Sequence, residues 1–174
     1  MAYITYYVAM SLDGFVARAN GDVDWLDHYN VEGEDYGYSP FCDSQDAMVM
    51  GRKTYEQVLN FGVWPYSNKR CFVCTCQTLE PDPNVTFWQQ SIEEFADHVT
   101  TLKMKNVWLV GGTQLAEAFR SEGLVHEYHI SVMPILLGSG IPLFADRDDN
   151  AHLSLENSMT YPNGVVQLRY KTTI

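Results

Sequence analysis

The chain has 174 residues, 46% hydrophobic and 19% charged, enough for one domain with a full core. Eleven lysines and arginines against 22 aspartates and glutamates give a formal net charge of −11, a field that repels nucleic-acid phosphates. The sequence holds no run of about 18 apolar residues, and the opening MAYITYYVAM reads as the first strand of a cytoplasmic protein; nucleic-acid binding and a membrane span are not expected.

In chain order, residues 3–10 predict a strand, followed by a loop with two turn signals, Asp13-Gly14 and Asn20-Gly21. VDWLDHYN reads as a short helical piece, and NVEGEDYGYSPFCDSQ as a polar, aromatic loop carrying another short helix. DAMVMG is a buried strand, and RKTYEQVLNFG a helix ended near Gly62, with Tyr55, Val58 and Leu59 at helical spacing. KRCFVCT and NVTFWQ are the next strands, and Ser91-Ile-Glu-Glu94 is a capping box for a helix reaching Lys103. The strand NVWLV leads into GGTQLAEAFRSEG, a glycine-initiated helix stopped by Gly123, and VHEYHISVMPIL is a strand. GSGIPLF reads as a loop, and two strands joined at Pro162-Asn163-Gly164 close the chain. Strands alternating with helices, then a run of strands, predict an α/β fold: a mixed, mostly parallel central sheet with antiparallel C-terminal strands and flanking helices. One domain covers residues 1–174.

Metal chemistry finds little support in this pattern. Cys71-Phe-Val-Cys74 has the outline of a redox or zinc motif, yet a strand turns Cys71 and Cys74 to opposite faces, and no second ligand pair accompanies them. His126 and His129 fall on opposite faces of one strand, and neither Ser11 nor Ser139 has the strand–elbow–helix setting of a hydrolase nucleophile. No metal site is expected. The carboxylates near the first loop, Asp13, Asp24, Asp27, Glu34 and Asp35, are candidate acids if one is enclosed in an apolar pocket.

Two strand-to-helix junctions carry the clearest chemistry. In MVMGRKTYE, Gly51 ends a strand and Arg52-Lys53-Thr54 opens a helix; in VWLVGGTQLAEAF, Gly111-Gly112 follows Val110 and opens another. Free N–H groups at a helix start favour an anion, cations add to that, and glycines let phosphates approach the backbone. Both junctions lie at the carboxyl ends of predicted parallel strands, where open α/β sheets bind ligands, so a nucleotide or dinucleotide is expected there.

AMSLDGFVA, MVMGRKTYE, WLVGGTQLAEAF and PILLGSGIPLF, in that order, resemble the dihydrofolate reductase-like superfamily. The S-x-D-G and P-x-L-x-G-x-G-x-P-L-F pieces are closest to the branch holding the reductase domain of the riboflavin-biosynthesis deaminase–reductase. The resemblance implies a three-layer fold and an NADPH-dependent reductase of a small heterocyclic substrate, aminopyrimidine-like or pterin-like, working as a homodimer. On this pattern Arg52, Lys53 and Thr54 meet the pyrophosphate and the adenosine 2′-phosphate, and Thr75, Cys76 and Gln77 border the adenosine. Gly111, Gly112, Thr113, Gln114 and Leu115, with Gly51 and Val110 beside them, line the pyrophosphate and nicotinamide side. Ala9, Asp13, Gly14 and Phe15 line the nicotinamide and the substrate mouth, which turns the first loop into a lid candidate. Asp13 and Asp27 are the candidate catalytic carboxylates.

One departure separates the chain from dihydrofolate reductase itself. That enzyme carries an acidic residue about five positions after a loop tryptophan; here Asn30 follows Trp25 at that distance and Asp27 comes early. Dihydrofolate reductase proper and a non-catalytic nucleotide-binding protein are the alternative readings. Trp64, Tyr66, Phe144 and Tyr161, in predicted loops or at edges, are candidates for subunit contacts.

Overall fold

A computed structural model describes residues 1–146 and 150–173. The strands are β1 (Tyr3–Ser11), β2 (Phe15–Ala17), β3 (Ala47–Gly51), β4 (Arg70–Cys74), β5 (Val85–Trp88), β6 (Asn106–Gly111), β7 (Glu127–Met133), β8 (Ile141–Pro142), β9 (Leu153–Thr160) and β10 (Val166–Thr172). The α-helices are α1 (Tyr38–Asp43), α2 (Arg52–Leu59), α3 (Ile92–Thr101) and α4 (Thr113–Ser121), and a 3-10 helix spans Asp24–Tyr29.

Eight strands form one sheet in the order β5-β4-β3-β6-β1-β7-β10-β9. From β5 to β7 every neighbouring pair is parallel, and β10 is antiparallel to both β7 and β9. The parallel strands are buried on both faces, which is why AMVMG reads as a continuous apolar run. On one face Ile4, Tyr6, Val49, Val107 and Leu109 pack with Phe95 and Val99 of α3 and with Ala116 and Phe119 of α4. On the other, Met50 and Val73 meet Tyr55 and Val58 of α2, and Met48 and Trp108 meet Tyr38 and Phe41 of α1. The result is the three-layer, mostly parallel α/β architecture with antiparallel C-terminal strands.

The local signals act as their chemistry requires. Ser91 accepts from the Glu94 amide and Glu94 returns a bond to the Ser91 amide, a complete capping box. Pro134 follows β7, which stops at Met133 rather than running to Leu136, because proline has no N–H for the ladder. α2 ends at Leu59, before Gly62, and VDWLDHYN forms a 3-10 helix. The larger difference is GSGIPLF, read as a loop, in which β8 pairs antiparallel with β2 as a second, two-stranded sheet. Strands of three and two residues are too short to leave a periodic signal.

Candidate active site

The carboxyl edge of the parallel strands is where chemistry-bearing residues converge. β3 and β6 are hydrogen-bonded neighbours, and their register shifts at the end so that Met50 pairs with Gly111, leaving Val110 as the extra residue of a bulge. Gly111 has φ +125°, a backbone setting that favours glycine, and the Gly111–Gly112 peptide bond is cis. A Cβ built on Gly51 would stand 3.7 Å from the Gly112 nitrogen, and one on Gly112 would stand 3.5 Å from Thr54 Oγ1. The two junctions, far apart in sequence, therefore sit against each other.

Their helix starts differ from that of α3. α3 fills its own first turn with the Ser91–Glu94 box, whereas neither Gly51 before α2 nor Gly112 before α4 supplies a side-chain cap. The first-turn amides of two adjoining helices are left for another acceptor. Arg52 and Lys53 bring positive charge to that edge; Arg52 is ion-paired to Glu56 one turn along, and Lys53 is exposed. Beyond the end of β4, the Thr75 amide donates to the Trp88 carbonyl and Thr75 Oγ1 accepts from the Gln77 amide; Cys76 and Gln77 are exposed. Thr113 and Leu115 are half-buried at the start of α4, Gln114 is exposed, and Val110 is half-buried between two apolar clusters behind the junction.

The first loop is tied down at both ends. The turn at Asp13-Gly14 is closed by the Gly14 amide donating to the Ser11 carbonyl, yet the chain does not fold back on β1; Phe15 and Ala17 pair instead with Pro142 and Ile141. The Asp13 carboxylate accepts from the amides of Leu137 (3.1 Å) and Gly138 (2.7 Å) and from Ser11 Oγ (2.6 Å). Ser11 is fully buried and also accepts from the Phe15 amide. These bonds hold the Asp13 carboxyl below the ordinary aspartate range, the Ser11 hydroxyl contributing most. Sequence reasoning passed over Ser11 as a failed nucleophile; S-x-D-G is the signal that it braces a turn.

Asp27 lies exposed on the 3-10 helix, without the apolar enclosure its candidacy as an acid required, because Trp25 and Tyr29 are the residues that helix turns inward. Asp24 is ion-paired to Arg18, and Asp35 accepts from the amides of Gly37 and Ser39. Trp25, 4% exposed, packs in a cluster with Tyr29, Met133, Val165, Ala9 and Tyr36, and among the described residues its indole Nε1 meets no acceptor. Tyr36 is held over this cluster: Gln167 Nε2 donates to its carbonyl, and its hydroxyl donates to the Tyr29 carbonyl. His126 accepts from the Ile4 amide through Nδ1, and His129 packs on Tyr7. Among the described residues no group of three His, Cys, Asp or Glu is placed to hold a metal ion. Trp64 and Tyr66 are half-buried in the aromatic clusters under α1 and α2, Tyr161 packs with the Trp25 cluster, and Phe144 stays 44% exposed.

A mostly parallel sheet with antiparallel C-terminal strands, two uncapped helix starts at its carboxyl edge and a tethered loop beside them define a dihydrofolate reductase-like fold. The chain belongs to the RibD C-terminal domain family, whose model matches residues 2–167. It is 39% identical over 166 residues to the uncharacterized protein YwjB of Bacillus subtilis, covering 94% of each chain. Among solved structures it is similar to a Shewanella sp. PV-4 protein provisionally named for riboflavin biosynthesis, with 29% identity, a TM-score of 0.90 and full coverage of both chains. The fold is shared with the dihydrofolate reductase of Enterococcus faecalis, solved with NADP(H), at 14% identity and a TM-score of 0.72 over 99% of this chain and 97% of that one. Family and fold are those of reductases, and among the described residues no helix is long and apolar enough to cross a membrane.

Proposed function

We propose that this protein is an NADPH-dependent reductase of a small heterocyclic compound, of aminopyrimidine or pterin type. The observation that carries the reading is the pair of uncapped helix starts at Gly51 and Gly112, set side by side with Arg52 and Lys53 at the same edge. The residues fit a dinucleotide: glycines keep the cradle clear of side chains, two sets of first-turn amides suit a pyrophosphate, and the cations suit a further phosphate.

In this reading Arg52, Lys53 and Thr54 bind the phosphates of the adenosine side, with Gly51, Gly111, Gly112 and Thr113 beneath the pyrophosphate. Thr75, Cys76 and Gln77 border the adenosine. Ala9, Gly14 and Phe15 receive the nicotinamide end, flanked by Val110, Gln114 and Leu115. The cofactor, when bound, supplies a hydride. The chain's own residues orient the two reactants and exclude water: the β2–β8 lid closes the mouth, and Asp13 positions that lid through Leu137 and Gly138. The unpartnered Nε1–H of Trp25, beside Ala9, is a donor for a carbonyl or ring nitrogen of the substrate.

Thermal unfolding with NADPH, with NADH and without nucleotide tests this reading. NADPH at 100 times its Kd stabilises by about 2.7 kcal/mol, which for a domain of this size raises Tm by roughly 5–10 °C. No shift with either nucleotide refutes it. A shift without consumption of NADPH, across aminopyrimidine and pterin acceptors, leaves a nucleotide-binding protein that has lost turnover.

A further inference from the structure

We infer that the substrate of this site carries no phosphate: it is an unphosphorylated heteroaromatic compound, neutral or cationic, seated against Trp25. The inference rests on the reductase reading and narrows its substrate class. The carboxyl edge of the sheet is electrically divided. Arg52 and Lys53 open α2 at the end assigned to the cofactor phosphates, whereas the side beyond Ala9 is built from segments of the opposite character. Residues 1–51 hold nine aspartates and glutamates and one arginine, Arg18, whose Nε and Nη2 both donate to the Asp24 carboxylate. Residues 130–143 and 157–168 contribute Met133, Ile135, Leu137, Tyr161 and Val165 to the Trp25 cluster and contain no charged residue. Arg147, outside the described residues, stands in the sequence beside Asp146, Asp148 and Asp149.

Two of those carboxylates are fixed beside the cluster. Glu34 Oε1 accepts from the Tyr36 amide (2.8 Å), and Asp35 accepts from the amides of Gly37 and Ser39. The pair thus adjoins Tyr36, which packs on the Trp25 cluster and meets Tyr161 edge-on with ring centroids 4.9 Å apart. The Tyr161 hydroxyl is raised above the ordinary tyrosine range by burial and then by the charges of Glu34 and Asp35, so their field reaches into the cluster. A phosphomonoester is close to a dianion at neutral pH and calls for cationic partners. Here it meets carboxylates held by backbone amides, a like-charge juxtaposition. The polar group that the cluster itself presents is neutral: the Nε1–H of Trp25, a side chain 4% exposed whose indole meets no acceptor among the described residues. An indole donor suits a carbonyl or ring nitrogen of a flat ring, and the surrounding apolar side chains supply the rest of its contacts.

Steady-state kinetics at saturating NADPH tests this with three probes: a dihydropterin without phosphate, a ribosylaminopyrimidine, and the 5′-phosphate of that same ribosylaminopyrimidine. At least one unphosphorylated probe should be turned over, with kcat/KM about 100-fold above that of the 5′-phosphate, the scale of a like-charge clash. The KM of the 5′-phosphate, or its inhibition constant where it is not turned over, should fall as salt rises from about 50 to about 500 mM, because screening weakens the repulsion. Glu34→Gln keeps an acceptor for the Tyr36 amide while removing one charge, and should lower the same constant roughly two- to fivefold; the salt series carries the test if that variant does not fold. Preference for the 5′-phosphate, equal turnover of the ribosyl pair, or no turnover of any probe overturns the inference. A constant that neither salt nor Glu34→Gln moves overturns it equally. The NADPH thermal shift separates these failures: a protein stabilised by NADPH that prefers the 5′-phosphate loses only the substrate assignment, whereas one that NADPH does not stabilise loses the reductase reading as well.

Discussion

A side-chain carbon on Gly51 would stand 3.7 Å from the amide nitrogen of Gly112, so two helix starts distant in sequence form one cradle. The two glycines at the second junction serve it differently. Gly111 has φ +125°, where any other residue is strained; Gly112 has an ordinary φ of −70°, and a methyl there makes a normal contact with Thr54 Oγ1. Gly111→Ala is therefore expected to destabilise by about 1–3 kcal/mol. Gly112→Ala keeps the Tm of the parent but narrows the phosphate approach, weakening NADPH about tenfold. Thermal unfolding of both variants with and without NADPH checks this, and wild-type affinity in Gly112→Ala counts against the cradle.

Arg52 and Glu56 form an exposed i, i+4 pair on α2. If Arg52 takes the adenosine 2′-phosphate, Glu56 competes with that phosphate for the same guanidinium. Arg52→Ala should raise the KM for NADPH far more than for NADH. Glu56→Gln should act in the reverse sense, tightening NADPH roughly two- to fivefold, the scale of one exposed charge interaction, and leaving NADH unchanged. Steady-state kinetics with both nucleotides reads this out. An equal response of the two nucleotides removes the 2′-phosphate assignment.

Much of this geometry was legible in the sequence, and the limits have physical causes. The strong signals were long periodic elements with their own boundary chemistry: AMVMG into RKTYEQV, the Ser91–Glu94 box, and the close at Pro162-Asn163-Gly164. Both glycine junctions were visible, but their mutual contact depends on β3 and β6 being neighbours, which no local pattern encodes. The anchoring of the first loop was half visible. Asp13-Gly14 announced a turn, yet the partner of β2 lies beyond residue 137 in a strand of two residues. The exposure of Asp27 was not legible, because on a 3-10 helix it depends on which of its neighbours, here Trp25 and Tyr29, the core takes in.

Asp13 gives a pH dependence with a definite sign. Its carboxyl is held below the ordinary aspartate range, mainly by the Ser11 hydroxyl and further by the Gly138 and Leu137 amides. A carboxylate depressed in the folded state stabilises fully above its unfolded pKa, about 3.9, and that stabilisation is lost as pH falls through the folded value. The Asp13 tether should thus hold from neutral pH to about 5 and loosen only below about 4. Amide exchange at Gly138, corrected for its intrinsic rate, measures the opening. Asp13→Asn should lose protection at neutral pH and flatten the acid limb; an unchanged profile in that variant assigns the acid response to another group.

The sharpest packing prediction concerns Gly140. A Cβ built on it would lie 2.2 Å from the carbonyl oxygen of Ala17. That oxygen belongs to β2 backbone, so no side-chain rotation relieves the overlap, and β8 must move off β2. Gly138, two residues earlier, has φ +75° and nothing within 4 Å of its Cβ position, so Gly138→Ala bears only the left-handed backbone cost of about 1–2 kcal/mol. Gly140→Ala adds an overpacking cost of a further 1–3 kcal/mol. The loss should start in the small sheet and reach the core between α3, α4 and the large sheet through Val16 of β2 and Leu143 just after β8, which pack there. Far-UV circular dichroism should stay native, Tm should fall below that of Gly138→Ala, and NADPH affinity should fall with it if the lid closes over the cofactor. A Gly140→Ala protein as stable as Gly138→Ala would mean that the β2–β8 contact yields without cost, and the lid would then be no fixed wall of the site.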